Sequence, residues 1–194
     1  EQTYINSNQI KGEISSVFKA SFFINPSKSF DLKSLTFNSD NSFQHVKLID
    51  YNYIAEIVDY FDESMITRNI VDIPYYKQKS RKIIFKPFRN NMSFKDGKLN
   101  ISPTYLENNM LNLNLKGTQT ISDSVDYYMS FNWKEIKKRN KKEKEDYLEE
   151  KEEIKELFLR ITGHIDDLNY KFDREKMKMQ LSLIHISEPT RLSA

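Results

Sequence analysis

The sequence predicts a mainly β fold of the α+β class: a curved antiparallel sheet or open β-groove, one or two covering helices, and a charged excursion that is helical or disordered. Three observations carry this. Apolar residues alternate with polar ones along most of the chain, the period of a strand with one buried face. Asp96-Gly97 separates two short alternating runs and tolerates the positive φ of a two-residue type I′ hairpin turn. Only the stretch at about residues 50–62 clearly shows the three-and-four apolar spacing of an amphipathic helix.

The strands are clearest in the C-terminal half. Leu111, Leu113 and Leu115 alternate with Asn112, Asn114 and Lys116, and Val125, Tyr127, Met129, Phe131 and Trp133 alternate with Asp126, Ser130 and Asn132. Leu157, Leu159 and Ile161 form a third run ending at Gly163, and Leu168, Tyr170 and Phe172 form a fourth after the turn at Asp166-Asp167. Gly97, Gly117 and Gly163 are expected at turns or strand ends. Upstream, Phe18, Ala20 and Phe22 alternate before Asn25-Pro26, while Ile83-Ile84-Phe85 precedes or extends the first hairpin strand.

In the helix, Tyr51, Ile54, Ile57, Val58 and Phe61 share one face, with Asp50 expected as its N-cap. A second, weaker helical piece is expected through Met65 and Ile70 before Pro74. A sheet with one apolar face must bury it, so the helix is expected to cover that face.

A charged excursion spans about residues 134–156. Lys134 to Lys144 carries seven Lys/Arg against two Glu, and Glu145 to Glu156 carries seven acids against two Lys, so a +5 block adjoins a −5 block. The formal net charge of +2 over 194 residues conceals this division. Ile136, Tyr147, Leu148 and Ile154 are its only candidate apolar anchors.

Composition excludes several kinds of chemistry. The absence of cysteine removes disulfides, thiolate metal sites and a Cys nucleophile. Neither a P-loop nor a dinucleotide fingerprint occurs, nor the Gly-x-Ser-x-Gly of a serine hydrolase. His45 and His164 lack a partner at metal-ligand spacing, and the adjacent carboxylates Asp166-Asp167 and Glu152-Glu153 diverge on a strand or helix. The chain is therefore expected to be no enzyme, with no catalytic, cofactor or metal residues. The basic run Lys137-Lys138-Arg139-Asn140-Lys141-Lys142 has no interleaved aromatic and is followed by acids, so no nucleic-acid partner is expected.

Both ends read as artificial boundaries. The chain opens at Glu1 with an extended Gln2-Thr3-Tyr4-Ile5 and is expected to be a piece of a longer protein. Ser182 to Arg191 resembles a translated sequencing adapter, so residues 181–194 are expected to be a non-native tail on a region covering residues 1–180.

The order of these signatures resembles a known family. Leu111 to Ile121 with Gly117-Thr118, then Val125-Asp126-Tyr127, Leu157 to Gly163, and Asp166 to Asp173 are similar to the C-terminal region of AsmA-like proteins. These are large Gram-negative envelope proteins related to TamB and YhdP. The resemblance runs from about Gly12 to Met179 and includes a helix near Leu48 to Phe61. Gln119, Leu168-Asn169 and Glu149 to Glu153 depart from the family pattern.

The resemblance implies a periplasmic β-structure, anchored in the inner membrane through chain absent here, that maintains the outer membrane by helping phospholipid cross. On that reading Leu111, Leu113, Leu115, Val125, Tyr127, Met129, Phe131, Leu157, Leu159 and Ile161 line a lipid groove. The alternative is an interaction module that docks another envelope protein, its strands closing over a dry core without lipid.

Overall fold

The computed structural model describes residues 8–24, 26, 34–136, 156–177 and 179. Its strands form one open antiparallel sheet of nine strands, with spatial order β1-β2-β4-β5-β6-β7-β8-β9 and β3 also paired to β2. The strands are β1 (Ile10–Ser21), β2 (Thr36–Ile49), β3 (Lys82–Ile84), β4 (Phe88–Lys95), β5 (Lys98–Leu106), β6 (Leu113–Thr120), β7 (Ser124–Asn132), β8 (Glu156–His164) and β9 (Asp167–Phe172). The helices are α1 (Asn52–Glu63), α2 (Ile73–Ser80) and the single turn α3 (Trp133–Ile136). From β4 onward each strand pairs with its successor, as expected when short turns join alternating segments.

Local chemistry sets the turns. Asp96 and Gly97 both take positive φ, 52° and 72°, and close the β4–β5 hairpin as the sequence predicts. Pro87 cannot donate a ladder hydrogen bond, and it separates β3 from β4 although both pair with β2 along the same edge. Asp50, at φ 44°, swings the chain out of β2 into α1, and its N–H donates to Arg81 O at 2.9 Å.

Several expectations are corrected. The α1 N-cap is Tyr51, which makes no side-chain capping bond, because Asp50 is spent on the left-handed turn. The second helix does not run through Met65 and Ile70, which lie in turns. It begins at Ile73, with Pro74 in its first turn and Asp72 Oδ1 accepting from Tyr75 N at 3.2 Å. Leu111 precedes β6 rather than lying in it, and its carbonyl accepts from Asn108 Nδ2 at 2.7 Å. Leu48 belongs to β2, not to the helix.

Gly117 is not at a strand end. It sits within β6 opposite Tyr127, where an added Cβ would lie 2.4 Å from Asp126 O. Gly163, by contrast, is the penultimate residue of β8, paired with Leu168 beside the β8–β9 turn, and so lies at a strand end as expected. Of the charged excursion, α3 and Glu156 are described, and Ile136 is fully buried. The expectations for residues 137–155, for the opening segment 1–7 and for the tail 181–194 lie outside the described residues.

The core sits between the β6–β9 end of the sheet and the two longer helices. Ile57, Val58 and Phe61 of α1 and Ile73 and Tyr76 of α2 join Phe131, Leu157, Leu159, Ile161 and Phe172 in one buried cluster. At about 1.5–3 kcal/mol for each fully buried large apolar side chain, this cluster is the main source of stability.

Candidate functional site

Direct cross-strand partners share a face, so the register shows which side chains line the face that α1 covers. Four rows cross that inner face. One runs Ala20, Phe37, Phe94, Leu99, Gln119 and Val125. The next runs Phe18, Ser39, Met92, Ile101, Gly117, Tyr127 and Ile161. A third begins Ser16, Asn41, Asn90 and continues, after a bulge in β5, as Thr104, Leu115, Met129 and Leu159. The fourth begins Ile14, Phe43, Phe88 and continues as Leu106, Leu113, Phe131 and Leu157.

All nine groove candidates that lie in strands therefore share the inner face, and Leu111 joins their cluster from the preceding loop. They are not equally open. Leu111, Val125, Phe131, Leu157, Leu159 and Ile161 are buried, whereas Leu113, Leu115, Tyr127 and Met129 are half-buried.

Helix α1 accounts for much of the closure. The Phe61 ring meets those of Phe131 and Phe172, and Tyr60 packs on Tyr170 and Phe172. Tyr170 donates its hydroxyl to Glu56 Oε2 at 2.7 Å, while Tyr60 Oη accepts from Phe172 N at 3.3 Å and so caps the outer edge of β9. Burial, followed by the nearby Glu56 carboxylate, pushes the Tyr170 pKa well above the ordinary tyrosine range. Tyr127 and Tyr51 are raised too, burial being the largest cause for each.

The other end of the inner face carries no helix among the described residues. Phe18, Phe37 and Phe94 form a short aromatic ladder, with centroid spacings of 5.4 and 5.5 Å. Phe43 and Phe88 stack at 4.6 Å on the far side of the Ser16, Asn41 and Asn90 seam. Ile14 and Phe18 of the edge strand β1 are each 60% exposed. Phe22, Phe23 and Ile24 continue that exposed apolar stretch.

Most of this aromatic surface was not singled out from the sequence. A signal existed: Phe37 and Phe43 are six residues apart, as are Phe88 and Phe94, and an even spacing puts each pair on one face. The polar Asn38 to Ser42 between the first pair conceals the strand.

Among the described residues, the inner-face rows hold no His, Asp, Glu, Lys or Arg. His45 lies at a bulge opposite Gly12 with Nδ1 3.5 Å from Glu13 Oε1, and His164 Nδ1 lies 3.5 Å from Asp166 Oδ2, both pairs being solvent-exposed. Among the described residues no group of three His, Asp or Glu could hold a metal, and no helix is long and apolar enough to cross a membrane. What the inner face provides is apolar contact, interrupted by a narrow polar seam. Comparison with protein-family models, curated proteins and solved structures found no match.

Proposed function

We propose that this chain is a non-enzymatic, AsmA-like periplasmic protein whose inner sheet face shelters the acyl part of a phospholipid in transit between membranes. In this reading the full-length protein is anchored in the inner membrane and serves outer-membrane maintenance. The supporting observation is the aromatic surface of β1, β2 and β4, which no helix among the described residues covers: Phe18 is exposed, Phe37 half-buried and Phe94 buried, the rings in contact on the inner face. Each methylene buried there is worth about 0.8 kcal/mol, so a few turns of acyl chain suffice for reversible holding.

The proposed lipid contact shifts along the sheet from the earlier candidates. Leu157, Leu159 and Ile161 are already packed in the cluster with α1, and a lipid cannot reach them while the helix stays. That packing favours, for the β7–β9 end alone, the second reading of a closed core on a module that docks another envelope protein. The test is photocrosslinking in cells carrying the intact protein. Probes at Phe18 and Phe37 should capture phospholipid more strongly than probes at Lys19 and Asn38 on the opposite face. Equal labelling of the two pairs would leave only the docking reading.

A further inference from the structure

We infer that the outer face of the sheet carries a site for a phosphate group, centred on Tyr128 and bracketed by Lys116 and Lys176. It lies on the face opposite the proposed acyl surface and does not depend on it.

The register builds the site. Lys116, Tyr128, Arg160 and Lys171 are direct partners on β6, β7, β8 and β9 and form one straight row. Arg160 and Lys171 stand directly opposite each other, an arrangement of like charges that costs stability unless negative charge lies nearby. Lys176, in the helical turn after β9, adds a fourth cation. Its Nζ lies 4.8 Å from the Tyr128 ring centroid and 5.7 Å from that of Phe158. Lys116 Nζ lies 5.8 Å and Arg160 Cζ 5.1 Å from the centre of the same Tyr128 ring.

Three cations therefore share one aromatic ring, which draws them together through its quadrupole but neutralises none of them. Two carboxylates answer the four cations: Asp126 grips Arg160, and Asp173 lies 3.9 Å from Lys176. Among the described residues Lys116 and Lys171 make no ion pair. The row keeps a local excess of positive charge.

Beside Tyr128 lies a depression of about 250 Å³, bordered by Lys116, Lys176, Asn114, Ser130, Pro103 and Phe158. Asn114 Nδ2 and Ser130 Oγ stand 3.5 Å apart, at the limit of a hydrogen bond, so both keep capacity to bind a ligand. Two ammonium groups, a hydroxyl and an amide, supplied by β6, β7 and the turn after β9, suit an anion with several oxygens. Charge-assisted bonds to such oxygens are the strong class. Pro103 and Phe158 offer apolar contact to whatever carries the phosphate.

The phosphate is either free or part of a lipid headgroup, and two probes on the full chain separate these sources. One is inorganic phosphate followed by calorimetry. The other is flotation with phosphatidylcholine vesicles with and without phosphatidic acid. At least one probe should bind: phosphate in solution identifies a free anion, whereas phosphatidic acid vesicles alone identify a headgroup. Changing both Lys116→Gln and Lys176→Gln should weaken that binding tenfold or more. Lys11→Gln, which removes one such charge on distant β1, should leave it unchanged. Binding of neither probe, or an equal loss with Lys11→Gln, overturns the site. Should the double variant fail to fold, Ser130→Ala decides the matter, because an unchanged affinity there also overturns it.

Discussion

Phe61 of α1 and Phe131 of β7 meet edge to face, with ring centroids 5.8 Å apart and planes at 89°. Phe61 also stacks on Phe172 of β9 with centroids 5.8 Å apart, so one helical side chain bridges the floor across the intervening β8. The helix is built into the core at this end, and the apolar groove that the strand pattern suggests is filled by the chain's own side chains.

Phe61→Ala should therefore cost about 3–5 kcal/mol, the range for deleting a buried aromatic side chain. Phe18→Ala, on the exposed edge strand, should stay within about 0.5 kcal/mol of the unaltered chain. Urea unfolding followed by circular dichroism measures both. A loss below about 1 kcal/mol for Phe61→Ala would mean that α1 is a displaceable lid, and Leu157 and Leu159 would return as lipid contacts.

This contrast also explains which parts of the fold were legible in the sequence. Strict alternation marked β7 and β8 because one face of each is buried beneath α1, which forces every second residue to be apolar. β2 is hidden in the sequence, because its inner face carries Ser39 and Asn41 between Phe37 and Phe43 and a bulge at His45 then breaks the period. The helix was evident from Ile57, Val58 and Phe61, but its N-cap was not: Asp50 is good both as a cap and in a left-handed turn, and only the β2–α1 junction decides between them. Nine of the ten candidate groove residues share one face of the sheet, and Leu111 lies in the loop before it. Whether that face was open depended on where α1 lands, a long-range fact that no local pattern encodes.

Gly117→Ala should destabilise the sheet although it adds only one methyl group. The new Cβ would lie 2.4 Å from Asp126 O and 2.7 Å from Tyr127 Cα, both part of the paired backbone of β7. Gly117 also takes φ +156°, a conformation that side chains rarely adopt. A loss of about 1–3 kcal/mol is expected from strain alone, and separating β6 from β7 would add to it. Thermal melting of the variant beside Gly97→Ala, where the added Cβ meets only the Ile121 side chain at 3.5 Å, tests whether backbone contact is the cause. The Gly117 variant should melt lower.

The polar seam of the inner face gives a prediction in which a second substitution offsets the first. Asn90 Nδ2 donates to Thr104 Oγ1 and, at 3.3 Å, to Ser102 O, while Asn90 Oδ1 is buried without a protein partner. Leaving a buried acceptor unmet costs about 1–3 kcal/mol, whereas replacing both members of a polar pair with apolar groups can be neutral or better. Thr104→Val alone should lower stability by about 1 kcal/mol, and adding Asn90→Leu should recover most of that loss. Chemical denaturation of the single and double variants measures the coupling. A double variant less stable than the single one would show that the seam is held by a bond these two residues do not account for.

Asp126 and Arg160 make the most regular ion pair on the outer face, with Nε to Oδ1 at 2.8 Å and Nη2 to Oδ2 at 2.9 Å. These bonds hold the Asp126 pKa below its ordinary 3.8. A carboxylate depressed in the folded state adds stability wherever the unfolded chain is also ionised, and that contribution disappears as pH falls through the folded value. Asp126→Asn should thus be less stable than the unaltered chain at neutral pH. The gap should hold down to about pH 4 and close below it. Both side chains are more than one-third exposed, so the gap should be small and shrink further in molar salt. Paired melting curves between neutral and strongly acidic pH measure this. A gap that persists unchanged at the acid end would assign the loss to packing around Tyr128 rather than to the charge on Asp126.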